Sequence, residues 1–194
     1  GRSREACEAR GKTSVYLDYL RGVRDLAAKR GARILFWGDI VLQEPERVAE
    51  LPEDATALIW GYEADHPFEA QTRRFADAGL PFYVCPGTSA WNSFAGRADN
   101  ALGNLRSAAI HGRASGAQGY LVTDWGDFGH LQPQPVSWLG WLAGAAYSWN
   151  ADEAEADADG YWGQMLNTHA FRDRGGVMGA AALALGNAYQ VRGH

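Results

Sequence analysis

Hydrophobic positions along this chain fall into two alternating patterns, stripes of helical period and short unbroken apolar runs. From residue 13 onward Tyr16, Tyr19, Leu20, Val23, Leu26 and Ala27 share one helical face, and Gly31 is placed to end that helix. Residues 33–40 (RILFWGDI) then read as a buried strand that closes on Trp37-Gly38-Asp39, and Pro45 suits the first turn of a short helix. The pattern repeats. Residues 55–60 (ATALIW) form a second strand running into Gly61-Tyr62-Glu63-Ala64-Asp65-His66. Pro67 opens the next helix, with Phe68, Thr72, Phe75 and Ala76 on one face and Gly79 at its end. Residues 80–85 (LPFYVC) make a third strand, followed by the turn Pro86-Gly87-Thr88-Ser89 and by Trp91-Asn92-Ser93. A long helix over 97–115 carries Ala98, Ala101, Leu102, Leu105 and Ala109 on its inner side, with Gly116 after it. The fourth strand lies in 118–130, where an apolar first half gives way to Thr123-Asp124-Trp125-Gly126-Asp127. Residues 1–12 are polar and read as a loop or the frayed start of a helix.

After the fourth strand the pattern changes. Residues 136–149 are apolar nearly all round, which predicts a largely buried helix. An acidic stretch over 151–160 reads as a solvated connection or the polar start of a helix, and two further helices are expected over 161–171 and 177–189. Four successive strand–helix units with short, unalternating strands predict an α/β fold with a parallel sheet. Every strand ends in aromatic and polar residues: Trp37/Asp39, Trp60/Tyr62/Glu63, Trp91/Asn92 and Trp125/Asp127. A (β/α)8 barrel converges all its strand ends on one site, whereas a doubly wound sheet converges two or three. No Gly-x-Gly-x-x-Gly follows a strand, so a dinucleotide fold has no support. The expectation is half of a TIM-type barrel over 1–150, followed by a C-terminal helical segment over 151–194.

Composition narrows the functional classes. A formal charge of −5 and no basic cluster argue against nucleic acid as a partner, and no apolar run reaches membrane-spanning length. No signal peptide is visible, so a cytoplasmic location is expected for a chain that starts without Met. Cys7 and Cys85 lack metal-site spacing and read as unpaired thiols. Eight tryptophans in 194 residues are more than packing requires, and their concentration at strand ends favours a carbohydrate or aromatic ligand.

The strand end at Trp125 and Asp127 suits a sugar ring, which presents C–H faces for stacking and hydroxyls for a carboxylate. In an extended strand these two side chains point to the same side. A buried tryptophan beside a solvated turn is the plainer alternative. A catalytic centre is harder to find. Hydrolysis of a glycoside needs two acidic groups, or one acid plus a nucleophile supplied by the substrate. Asp152-Glu153 is the one adjacent Asp-Glu pair, and it lies in the acidic stretch rather than at a strand end. Asp39, Glu63, Asp124 and Asp127 are better placed, but Asp124 and Asp127 would point apart on an extended strand. His66, His111, His130 and His169 share no spacing that suggests a metal site. Neither a metal nor a cofactor is expected.

The ordered series Phe36-Trp37-Gly38-Asp39, Ile59-Trp60-Gly61-Tyr62-Glu63, Tyr83-Val84-Cys85-Pro86-Gly87-Thr88-Ser89-Ala90-Trp91-Asn92-Ser93, Arg97-x-Asp99-Asn100-Ala101-Leu102 and Thr123-Asp124-Trp125-Gly126-Asp127 resembles the family 20 glycoside hydrolases, exo-acting β-N-acetylhexosaminidases. The similarity covers about residues 33–150, in the order of the last four strands of that family's barrel, and is closest to a bacterial branch. It implies a retaining, substrate-assisted hydrolysis of terminal non-reducing N-acetylglucosamine or N-acetylgalactosamine. The substrate's acetamido oxygen attacks the anomeric carbon to give an oxazolinium intermediate. An Asp-Glu pair on the family's fourth strand serves that step, and here it is expected upstream of Gly1, so the chain reads as a fragment without catalytic residues of its own.

By the same resemblance Trp125 is the aromatic wall at the non-reducing sugar, and Asp127 binds distal ring hydroxyls. Trp37 and Trp60 are further walls around the acetamido group and the ring. Trp91 and Asn92 lie where the seventh strand end contributes to acetamido recognition, and Tyr62 and Glu63 are rim contacts. Arg97, Asp99 and Asn100 read as structural, with Asp99 favoured at a helix start. The implied partners are an N-acetylhexosaminide and the missing N-terminal half of the barrel, with self-association through open sheet edges expected for the isolated chain. Two rivals remain: a non-catalytic sugar-binding module on the same tryptophans, and a different parallel α/β enzyme using Asp39 or Glu63 as a base.

Overall fold

The structure, a computed structural model, describes residues 3–129, 131–152 and 160–191. Apolar runs of the length read from the sequence do become parallel strands, but shorter ones: β1 Leu35–Trp37, β2 Thr56–Trp60, β3 Phe82–Cys85 and β4 Gly119–Tyr120. They form one sheet in the order β1-β2-β3-β4, with Leu35, Phe36 and Trp37 paired to Thr56, Ala57 and Leu58. The fold is α/β. Between the strands run α3 (Phe68–Asp77) and α4 (Ala98–Ala114), and before them α1 (Arg4–Arg10) and α2 (Lys12–Ala28). Gly11 separates α1 from α2 with a φ of 82°, so the polar N-terminal stretch is a helix in its own right. Gly31, Gly79 and Gly116, read as helix stops, adopt φ of 68°, 68° and 78°, the left-handed geometry that glycine supplies without a Cβ penalty.

The described residues divide into two compact units. The first comprises Gly1–Trp60, Pro67–Val84 and Gly112–Gly119, and the second Gly61–His66, Cys85–His111 and Tyr120–His194. In the first, Leu17, Phe36, Val48, Ile59, Phe68, Phe75 and Phe82 are buried, and the rings of Phe75 and Phe82 lie 6.2 Å apart. The buried face of α2 differs from the one expected. Thr13, Leu17 and Leu20 are inside, while Tyr19 and Leu26 are 71% and 56% exposed. Thr13 is the polar residue that shifts the face, because its hydroxyl is satisfied by Glu44 Oε1 at 2.6 Å. On α3 Phe68, Thr72 and Phe75 are buried as expected, but Ala76 is exposed.

The second unit is helical apart from the strand ends. Its core joins Ala98, Ala101, Leu105 and Ala109 of α4 to Leu139, Ala143 and Tyr147 of α5 (Trp138–Trp149), and to Trp162 of α6 (Tyr161–Met165). The largely buried helix expected over 136–149 is found in part: Leu139, Ala143 and Tyr147 are buried. Residues 134–137 are a 3-10 turn, and Trp141 and Trp149 on α5 are 42% and 91% exposed. The small residues Gly140 and Gly144 face inward instead, where a Cβ would collide with Thr88 and with Val122 respectively. The helix expected over 161–171 is α6 continued by a π-helical turn, Leu166–Phe171. α7 (Met178–Gly186) follows, its free N–H groups at Val177 and Met178 bonded to Asp173 Oδ2 at 2.8 and 2.9 Å. Glu153 and the acidic stretch over 153–159, like His130, lie outside the described residues. Among the described residues no helix is long and apolar enough to cross a membrane.

Candidate functional site

The loops that leave β2, β3 and β4 enter the second unit carrying Tyr62 and Glu63, Trp91 and Asn92, and Trp125 and Asp127. Two side-chain amides on one face of α4, four positions apart, hold the first two loops. Asn104 is fully buried. Its Oδ1 accepts from Gly87 N at 3.1 Å, and its Nδ2 donates to Gly61 O at 2.9 Å and Glu63 O at 2.8 Å. Asn100 donates to Tyr62 O at 2.7 Å and Ser89 Oγ at 2.9 Å, and accepts from Ala64 N at 2.9 Å. The third loop is tied to the second by backbone bonds, Thr123 N to Pro86 O at 2.9 Å and Thr88 N to Thr123 O at 3.0 Å. Thr88 Oγ1 adds a bond to Asp124 Oδ1 at 2.7 Å. Loops are ordinarily mobile. Here the buried polar groups make each one part of the scaffold, because breaking any of these bonds strands a donor or acceptor away from water.

On that scaffold the aromatic side chains form a corner. Trp125 Nε1 donates to Tyr62 Oη at 2.7 Å, which fixes the plane of an indole that remains 37% exposed. The Tyr62 ring stands edge-on to Trp91, with centroids 5.0 Å apart and planes at 85°, the arrangement favoured by ring quadrupoles. Trp91 sits on the backbone of Gly87, where any Cβ would collide with its ring. Burial raises the Tyr62 phenol above its ordinary value, against opposing hydrogen bonds with Trp125 and Thr123, and the Asp127 carboxylate adds a smaller upward push. Its hydroxyl is therefore neutral across the physiological range. Asp127 is exposed. It begins a 3-10 turn, Asp127–Gly129, and β4 ends at Tyr120, so Trp125 and Asp127 lie beyond the strand on which their alignment was argued.

Glu63 is held by both guanidinium nitrogens of Arg97 at 2.8 Å, and this bond keeps its carboxyl below the ordinary range. A carboxylate so held is a poor general base. Asn92 is exposed, with a φ of 58°. Asp99 lies in the first turn of α4 and receives Asn187 Nδ2 at 2.7 Å and Gln190 Nε2 at 2.8 Å, while Asn187 Oδ1 accepts from Asp99 N at 3.0 Å. Asn187 thus caps α4. Arg97, Asp99 and Asn100 all spend their polar groups on bonds within the chain, and the cap expected of Asp99 comes from Asn187.

Trp37, Asp39 and Trp60 belong to the first unit. Trp60, 36% exposed, donates from Nε1 to Asp39 Oδ1 at 3.3 Å, and Trp37 O accepts from Tyr16 Oη at 3.2 Å. Gly38 lies against the Phe75 ring, which a Cβ would meet at 3.3 Å. Cys7 and Cys85 are both free, and burial pushes the Cys85 thiol up to about 12, which leaves it protonated and unreactive. Among the described residues no three His, Cys, Asp or Glu side chains gather as a metal site.

Asn104 and Thr88 were not singled out by sequence reasoning, although they hold the site together. The available signal was the pair Asn100/Asn104, two amides on the apolar face of a helix, where a buried polar group demands partners. No family model and no curated protein matches the chain. The site's chemistry rests on its geometry: an exposed, orientationally fixed indole beside a neutral phenol, with carboxylates at the rim. Such a surface stacks C–H faces and accepts hydroxyl hydrogen bonds.

Proposed function

We propose that this chain is the sugar-binding part of a retaining, substrate-assisted β-N-acetylhexosaminidase of glycoside hydrolase family 20, built as the second half of a (β/α)8 barrel. The observation that carries this reading is the Trp125–Tyr62 hydrogen bond, with Trp91 edge-on to Tyr62. It fixes an open indole face at the strand end where the sequence resembles the family's aromatic wall. Trp125 would stack on the terminal N-acetylglucosamine or N-acetylgalactosamine ring, and Asp127 would accept from its distal hydroxyls. Trp91 and Asn92 are the proposed further contacts, with Tyr62 and Glu63 at the rim. The general acid and the aspartate that orients the acetamido group would come from residues outside this chain. Without them most of the transition-state stabilisation is absent.

The test has two arms. The chain alone, titrated with N-acetylglucosamine and with glucose, is expected to change its tryptophan fluorescence with the acetamido sugar only and to hydrolyse neither sugar's aryl glycoside. A longer chain that includes the preceding strands is expected to cleave the aryl N-acetyl-β-glucosaminide and leave the plain β-glucoside intact. Cleavage of neither by the longer chain overturns the enzymatic reading. A second reading, a non-catalytic carbohydrate-binding module, is favoured by Glu63 and Asp124, whose carboxylates are committed to Arg97 and Thr88. Sugar binding without turnover in the longer chain would establish it.

A further inference from the structure

The second unit contains an apolar cleft of about 260 Å³ that the proposed sugar-binding wall does not use. Phe94, Leu139, Leu166, Phe171, Met178 and Leu185 line it. Native interiors keep few voids larger than a water molecule, and a dry apolar cavity of about 150 Å³ already admits benzene. This cleft is larger, and it is open: Phe94, Met178 and Leu185 are 81%, 47% and 62% exposed. Its wall carries no uncompensated charge, because the guanidinium of Arg97 is taken up by both oxygens of Glu63 and the hydroxyl of Thr88 by Asp124.

The backbone is shaped to line the cleft. Leu166 and Phe171 are five positions apart, a step that at α-helical pitch leaves two side chains about 140° apart around the axis. The π-helical turn Leu166–Phe171 takes more residues per turn, which brings positions five apart closer around the axis, and both residues line the same cleft. Turns of this kind are rare and recur at functional sites.

We propose that this cleft is a binding site for a small uncharged aromatic molecule of one or two fused rings. Volume sets the size, and the neutral wall excludes an ionic ligand. Two phenyl rings and the Met178 thioether supply the edge and sulfur contacts that aromatic ligands favour. The inference is independent of the carbohydrate reading.

The test titrates the full chain with 2-naphthol, following the probe's fluorescence. The expected result is saturable binding of one probe per chain, unchanged by added N-acetylglucosamine. Ala181→Phe, which fills the cleft, is expected to weaken binding at least about tenfold. Because that variant could perturb folding, Phe94→Ala serves as the second, its side chain being mostly exposed; a loss of about threefold is expected. Trp149→Ala, at an exposed apolar side chain outside the cleft, is expected to bind as the parent does. The proposal is overturned by non-saturable binding, or by equal losses in Phe94→Ala and Trp149→Ala. It is also overturned if sedimentation shows a dimer in the parent and a monomer in Phe94→Ala, because a second copy would then occupy the cleft.

Discussion

The two units meet the same demand, satisfied polar groups on a small apolar core, by different chemistry. In the first the conspicuous devices are exposed ion pairs. Arg24 forks onto Asp54, Arg47 onto Glu50, and Asp18 receives both Arg10 and Arg21. In the second they are buried amides bonded to loop backbone, Asn104 and Asn100, and the buried Thr88 hydroxyl bonded to the Asp124 carboxylate. Exposed pairs are worth little and tolerate replacement, whereas a buried polar group that loses its partner costs its full desolvation. The difference places rigidity where side chains would hold the proposed ligand. Loops fixed by interior hydrogen bonds can present exposed aromatics, and Trp125 and Tyr62 are presented in this way.

Asn104→Ala gives the largest expected break in this comparison. It strands Gly87 N and two carbonyls and empties a fully buried site. At about 1–3 kcal/mol per stranded group, partly relieved by relaxation, a loss of about 3–4 kcal/mol is expected. Urea denaturation followed by tryptophan fluorescence measures it. A loss under about 1 kcal/mol would mean that the loops stand without the amide clamp.

Glycines give the next contrast. A Cβ on Gly140 meets the Thr88 backbone at 2.6 Å, so Gly140→Ala is expected to cost about 1–3 kcal/mol. Gly22, inside α2, has open space around its missing Cβ. Gly22→Ala is expected to stabilise by about 0.5–1 kcal/mol through helix propensity. Thermal melts of the two variants should move in opposite directions, and a shared direction would remove packing as the cause.

How much of this was legible beforehand follows from the same contrast. Strand positions, glycine stops and the apolar faces of α3 and α4 are written in periodicity to within a few residues. The fourth strand was overextended, because Gly119–Tyr120 is followed by a run whose backbone bonds go to the β3 loop through Thr123. Trp125 and Asp127 accordingly lie beyond the strand. The pair Asn100/Asn104 on an apolar face signals that partners exist, but not that those of Asn104 are Gly61, Glu63 and Gly87. Thr13 misled the assignment of the α2 face in the same way, since its partner Glu44 lies 31 positions away. Periodicity reports burial of apolar groups; it does not report which polar group is buried with a partner.

Tyr62→Phe is a smaller change with a sharper target. It removes the acceptor of Trp125 Nε1 and keeps the ring against Trp91. A stability loss of about 1–3 kcal/mol is expected, the net worth of the hydroxyl's bonds with Trp125 and Thr123. If Trp125 is the stacking face, N-acetylglucosamine affinity falls by more than stability does, because the indole is freed to rotate. Parallel titrations and melts separate the two effects. Unchanged affinity would show that the indole plane is set by packing alone.

The smallest effect concerns acid stability, and it distinguishes the units by their ion pairs. Asp54 and Glu63 are both held below their ordinary range, chiefly by hydrogen bonds from Arg24 and Arg97 respectively. A carboxyl with a depressed folded-state pKa binds fewer protons folded than unfolded. Each therefore contributes stability that is fully present above its unfolded pKa and is lost as pH falls through the lower folded value. The window lies below about pH 4. Arg24→Gln and Arg97→Gln should each flatten that acid limb in urea midpoints measured from pH 6 to pH 2.5. Arg97 is the more sheltered partner, its side chain 31% exposed against 39% for Arg24, so the flattening should be larger in Arg97→Gln. In 0.5 M salt the Arg24 effect should vanish first, since screening acts most strongly on the more exposed pair. The reverse order would place the sheltered electrostatics in the first unit and undo the contrast between the two.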